Sequence, residues 1–160
     1  FLPYIQSMKL EDLVIASPDV GGSKRASSYA KYLGVDLVLC HKQRAKANVV
    51  ESMKIIGDVK GKNVIILDDM VDTAGTVTKA ADLMIENGAL SVRAFASHGV
   101  LSDPATERIE KSKLTAIYFT DSIPLKKESE KIKVLSVAEL IANTIINVNT
   151  NKSISSSYLV

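Results

Sequence analysis

Acidic, hydroxyl and small residues crowd together in VIILDDMVDTAGT, Val64 to Thr76. An apolar run ends in Asp68 and Asp69, and Asp72, Thr73, Ala74, Gly75 and Thr76 lead into what reads as a helix. The strand is expected to stop near Asp68, at the carboxyl edge of a parallel sheet, where open α/β folds bind ligands. Carboxylates there suit vicinal sugar hydroxyls or a hydrated Mg²⁺, which takes few protein oxygens and keeps its waters. The small residues let backbone N–H groups converge, threonine hydroxyls add donors, and the helix dipole favours negative charge. A phosphate monoester is the natural occupant. Taken alone, the same residues would also serve as a strand end followed by a helix cap.

A second turn, SPDVGGSKRAS, follows the first strand and opens the first helix. Gly21 and Gly22 permit close backbone approach to an anion and Asp19 is placed to hold a metal ion over it, or the turn is only a tight βα connection. Lys42 and Arg44 alternate at the root of a long segment, where cations can stabilise charge on a transferred phosphoryl group. No G-x-x-x-x-G-K-[ST] loop occurs, which excludes the P-loop nucleotide triphosphatases. His41 and His98 lack metal-ligand spacing and read as hydrogen-bonded strand-end residues.

The elements that position these groups alternate. The strands read as LVIAS (13–17), DLVLC (36–40), NVIILD (63–68), SVRAFAS (91–97), LTAIYFT (114–120) and a shorter KIKVLS (131–136). Their near-continuous apolarity means that both faces are covered, as in a parallel sheet fed by βαβ units. KRASSYAKYLG and TVTKAADLMIENG read as helices with Gly34 and Gly88 just past their ends. DPATERIEKS reads as a third with Pro104 in its first turn, and SVAELIANTIINV as a fourth whose Ser136 and Glu139 match a capping box. FLPYIQSM adds a lead-in helix. His41 to Lys62 breaks the alternation and reads as a long mobile excursion or hairpin, PLKKESEK as a solvated loop, and residues 149–160 as a flexible tail.

Twenty basic against 18 acidic residues in 160 leave a formal net charge of +2, too small to argue for a nucleic-acid or membrane partner. The single Cys40 lies in an apolar run, which excludes an internal disulfide and favours a buried thiol in a reducing, cytoplasmic compartment. No apolar run reaches the roughly 18 residues of a membrane span.

Together these motifs, with SHGVLSDPA, DSIPL and the serine-rich tail, resemble the C-terminal half of the ribose-phosphate pyrophosphokinases, or phosphoribosyl pyrophosphate synthetases. Type I phosphoribosyltransferases share only the DDMVDTAGT-like turn and the fold. The resemblance implies a three-layer, doubly wound, mainly parallel α/β sheet and a Mg²⁺-dependent transfer of the diphosphoryl group of ATP to ribose 5-phosphate. By that likeness Asp68 and Asp69 hold ribose hydroxyls, and Asp72, Thr73, Ala74, Gly75 and Thr76 hold the 5-phosphate. Asp19 binds Mg²⁺ beside the incoming diphosphate, with Gly21 and Gly22 shaping that loop, and Lys42 and Arg44 are the basic pair of the flexible catalytic loop at 41–62. Ser153 and Ser155 resemble serines that contact a regulatory phosphate. Gln43 stands where many members have a third basic residue, and Asp103 where they have glycine. Members have about twice this length and assemble as homodimers and hexamers, so the chain is expected to be a fragment whose nucleotide pocket lies largely in a preceding half, and to be inactive alone. A stand-alone phosphoribosyltransferase and a non-catalytic, synthetase-associated regulator are the alternatives.

Overall fold

The computed structural model describes residues 1–43 and 52–155. Within them the chain forms α1 (Leu2–Ser7), β1 (Leu13–Ser17), α2 (Ser23–Leu33), β2 (Asp36–Gln43), β3 (Ser52–Ile56), β4 (Asn63–Val71), α3 (Gly75–Glu86), β5 (Ser91–Gly99), α4 (Ala105–Lys111), β6 (Ala116–Thr120), β7 (Ile132–Leu135) and α5 (Ala138–Asn149). The strands make one seven-stranded sheet in the order β3-β2-β1-β4-β5-β6-β7. Every neighbouring pair is parallel except β2 with β3.

Successive strand residues face opposite sides of the sheet, so the apolar runs feed two cores. On one side Val14, Val64, Ile66, Val92 and Phe119 pack with Val77, Ala81 and Met84 of α3 and with Ala105 and Ile109 of α4. On the other, Ile15, Ile65, Leu67, Phe95 and Tyr118 pack with Ile5 of α1 and with Ala26 and Ala30 of α2. Phe95 and Tyr118 stack with ring centroids 4.4 Å apart, and Phe1 meets Phe95 edge-on at 5.3 Å. This is a three-layer, doubly wound α/β fold.

From β1 the chain crosses through α2 to β2 on one side, then returns to place β4 on the other side of β1. The direction of winding reverses between β1 and β4, and such a switch point opens a crevice at the carboxyl ends of the strands. The turn after β1 and the turn after β4 therefore border one cleft.

Several elements differ from the sequence reading. β4 continues past Asp68 to Val71, because Met70 and Val71 keep pairing with His98 and Gly99 of β5. β2 runs on to Gln43, and β3 pairs with it antiparallel, Leu39 opposite Ile56 and Gln43 opposite Ser52, so the excursion has two hairpin arms. Arg44 lies outside the described residues. Pro104 is the N-cap of α4 rather than a residue of its first turn. The capping box at α5 does not form. Ser136 Oγ instead donates to Asp121 Oδ2 at 2.5 Å and accepts the Ala138 N–H, while Asp121 Oδ1 takes the N–H of the N-cap residue Val137.

Gly99 is needed for packing. A Cβ built there would lie 2.9 Å from Phe119 Cγ, and Phe119 is fully buried. Overpacking of this kind costs about 1–3 kcal/mol. Gly99→Ala is expected to lower Tm by about 3–10 °C in a circular-dichroism melt; an unchanged Tm would contradict the packing described.

Candidate functional site at the switch point

A pocket of 260 Å³ lies at the reversal between β1 and β4, lined by Asp19, Asp68, Asp69 and the run from Met70 to Val77. It brings the two sequence motifs together. Asp19 comes from the β1–α2 turn, Asp68 and Asp69 from β4, and the remainder from the β4–α3 turn and the first turn of α3.

The β4–α3 turn leaves donors facing the pocket. Ala74 is the N-cap of α3 in the left-handed conformation (φ 60°, ψ 5°), and the Thr78 N–H reaches back to its carbonyl at 3.1 Å. The amides of Gly75, Thr76 and Val77 precede that bond, and helix geometry aims them out of the N-terminus. Thr78 Oγ1 also donates to the Ala74 carbonyl at 2.8 Å, locking the turn. Arg108 of α4 braces the same segment, Nη1 donating to the Thr73 carbonyl at 2.9 Å.

In the β1–α2 turn, Ser17 Oγ donates to the Asp19 carbonyl at 2.7 Å and Asp19 Oδ1 accepts the Gly22 N–H at 3.0 Å. A Cβ on Gly22 would lie 2.6 Å from Ser17 Oγ, and one on Gly21 3.2 Å from Asp19 Oδ1. Both glycines thus make room for side chains of their own turn. The Asp19 carboxylate still borders the pocket.

Backbone amides fix the acid pair: Asp69 N–H donates to Asp68 Oδ1 at 2.9 Å, and Met70 N–H to Asp69 Oδ1 at 3.1 Å. Arg25, in the first turn of α2, sits 4.0 Å from Asp68 Oδ1 and 3.6 Å from Asp69 Oδ2. Arg25 and Arg108 escaped the sequence reading. Arg25 left a signal, because a cation in the first turn of a helix opposes the dipole and needs an acidic partner elsewhere.

Mg²⁺ takes one or two carboxylates and completes its shell with water and substrate oxygens. Four carboxylates, Asp19, Asp68, Asp69 and Asp72, border one pocket here, a donor set that would suit such a cation. Among the described residues no three His, Cys, Asp or Glu side chains converge to hold a metal by themselves.

Other sequence-predicted residues fall elsewhere. Lys42 lies on β2 opposite Met53, near the end of a strand parallel to β1, hence at the same sheet edge as the pocket. Ser153 and Ser155 form a local turn after α5, their hydroxyls 3.0 Å apart. Asp103 accepts a hydrogen bond from Lys127 at 2.7 Å, tying the entry of α4 to the β6–β7 loop. His98 Nδ1 meets Ser122 Oγ at 2.9 Å. Cys40 is buried, and burial pushes its thiol up to about 11, leaving it inert as a nucleophile at neutral pH. A larger groove of 510 Å³ between α3 and α4 shares Gly75 with the site but is lined by the opposed charges of Lys79, Asp82, Glu107, Arg108 and Lys111. The smaller pocket is the one with converging amides.

Burial, with the neighbouring Asp69, raises Asp68 from 3.8 to about 7, whereas the hydrogen bond from Asp68, aided by Arg25, lowers Asp69. Folding therefore favours the protonated form of Asp68. That stabilisation is complete below pH 3.8 and is lost as pH rises through about 7. Asp68→Asn keeps an acceptor for the Asp69 N–H and removes the ionisation. It is expected to stabilise the chain at pH 8 by about 1 kcal/mol, a value discounted for partial solvation, and to do little at pH 5. Thermal melts at both pH values check this; a gain at pH 5 that vanishes at pH 8 would reverse the sign.

The chain has relatives both in sequence and in fold. Over 159 residues the chain is 58% identical to the ribose-phosphate pyrophosphokinase of Porphyromonas gingivalis, covering 99% of this chain and 51% of that one. The crystal structure of phosphoribosylpyrophosphate synthetase from Mycobacterium smegmatis superposes with a TM-score of 0.85 at 39% identity, covering 94% of this chain and 49% of that one. A purine phosphoribosyltransferase from Pyrococcus horikoshii shares the fold at a TM-score of 0.53 and 19% identity, over 84% of this chain and 76% of its own. The chain thus spans about half the length of the curated relatives it matches. The family model for the phosphoribosyl synthetase-associated domain matches residues 43–160, and the chain belongs to that family.

Proposed function

We propose that this chain is the C-terminal, substrate-binding half of a ribose-phosphate pyrophosphokinase, an enzyme that transfers the diphosphoryl group of ATP to the anomeric hydroxyl of ribose 5-phosphate. The observation that carries the reading is the pairing of two carboxylates with a helix N-terminus in one pocket at the switch point. The amides and hydroxyls from Asp72 to Thr76 take the 5-phosphate. Asp68 and Asp69 accept hydrogen bonds from the ribose hydroxyls. The sugar is thereby held at both ends, with its anomeric carbon directed toward the Asp19 turn.

Asp19 would hold Mg²⁺ there, and the cation supplies charge neutralisation for the incoming diphosphate when bound. The anomeric hydroxyl oxygen attacks the β-phosphorus and releases its proton to solvent, the bond from that phosphorus to the oxygen of the α-phosphate breaks, and AMP leaves. Lys42 and Arg44 stabilise charge on the transferred group from the segment at 41–62. Gly21 and Gly22 keep the Asp19 turn tight enough to place its carboxylate at the pocket rim.

The nucleotide site lies in another half of the protein, consistent with a chain that spans about half the length of its relatives. Helix α5 fits such a division. It buries none of its residues, and Leu140, Ile141, Ile145, Ile146 and Val148 are each more than half exposed, apolar surface that a second domain covers. The intact enzyme is a cytoplasmic homo-oligomer in this reading, with Ser153 and Ser155 contributing to a regulatory phosphate site.

Calorimetry of the 160-residue chain tests the proposal. Ribose 5-phosphate is expected to bind and ATP to show no measurable affinity. Asp69→Ala and Thr76→Ala each remove a hydrogen bond and are expected to weaken the sugar phosphate by about tenfold. Binding of a free nucleobase without any affinity for ribose 5-phosphate would instead support a stand-alone phosphoribosyltransferase.

A further inference from the structure

The pocket poses an electrostatic difficulty. Among the described residues it is lined by Asp19, Asp68, Asp69 and Asp72 and by no Lys, Arg or His, yet its proposed occupant is a dianion. Among the described residues the guanidinium of Arg25 is the cation placed against the acid pair, 3.6 Å from Asp69 Oδ2 and 4.0 Å from Asp68 Oδ1. These separations exceed hydrogen-bond length, so Arg25 acts as a charge beside the carboxylates and sugar hydroxyls need not displace it. The flat fork also reaches both acids at once, Nη1 toward one and Nη2 toward the other.

The position of Arg25 supports a dedicated role. It occupies the first turn of α2, where no acidic residue is present and where the helix dipole disfavours a cation. The acids that offset that cost sit on β4. With Oδ1 of each carboxylate held by a backbone amide and the guanidinium alongside, the pair presents a fixed pattern of acceptors.

We propose that Arg25 is the positioning residue of this acid pair: its guanidinium holds Asp68 and Asp69 as a two-acceptor template for adjacent sugar hydroxyls, and so sets a preference for ribose over 2-deoxyribose phosphates. The inference rests on the ribose 5-phosphate reading of the same pocket. Arg25 touches the acids and not the reacting atoms. Its loss disturbs recognition of the 2-hydroxyl while leaving the amides around Gly75 and Thr76 able to take phosphate.

The experiment is a set of calorimetric titrations of ribose 5-phosphate, 2-deoxyribose 5-phosphate and inorganic phosphate into the unaltered chain, Arg25→Met and Arg25→Lys. The unaltered chain is expected to favour the ribose compound by about tenfold. Arg25→Met narrows that ratio to about twofold while its affinity for inorganic phosphate and its melting temperature hold, and Arg25→Lys, which keeps the charge without the fork, falls between. An unchanged ratio in Arg25→Met overturns the proposal, as does equal weakening of all three ligands or loss of folding in both variants, which would make Arg25 structural. If the unaltered chain binds neither sugar phosphate, the ribose 5-phosphate reading itself fails and the role of Arg25 falls with it.

Discussion

Strand polarity is the constraint on which the site depends. In a parallel sheet every strand ends, and every following helix begins, at the same edge. Strand-end side chains and helix-start amides therefore meet there without further design. The reversal of winding between β1 and β4 separates two such turns enough to admit a ligand. The acids at the end of β4 and the amides at the start of α3 are neighbours for the same reason, and sequence only had to supply residues small enough at Ala74 and Gly75 to leave the amides open.

Acid clustering has a cost, and the structure shows how it is met. Asp68 is driven toward its neutral form by burial and by Asp69, which retains its charge with help from the Asp68 hydrogen bond and from Arg25. Arg108 acts at the other end of the pocket by hydrogen-bonding the Thr73 carbonyl. The two arginines come from α2 and α4, which lie on opposite faces of the sheet, so the site is braced from both layers.

Much of this was legible in the sequence, because alternating apolar runs and glycine-ended helices carry their own period. The acids and the small-residue turn were also readable, since their chemistry is local. What could not be read depended on partners distant along the chain. β4 extends over Asp68 to Val71 because β5 offers backbone groups to pair with, not because those residues favour a strand. Ser136 matched a capping box with Glu139, but Asp121, fifteen residues earlier, captured its hydroxyl. Asp103 gained its role from Lys127 in a charge run that read as mere solvated loop. Arg25 and Arg108 required a map of which helix faces which strand end.

On the proposed reading, the α3 N-terminus and the β4 acids grip one sugar phosphate between them. Amide ¹⁵N–¹H shift mapping of the chain during titration with ribose 5-phosphate tests it most directly. The largest changes are expected at Thr73 to Val77, with smaller ones at Asp68, Asp69 and the Asp19 turn. Changes confined to the groove between α3 and α4, around Asp82 and Lys111, would contradict it.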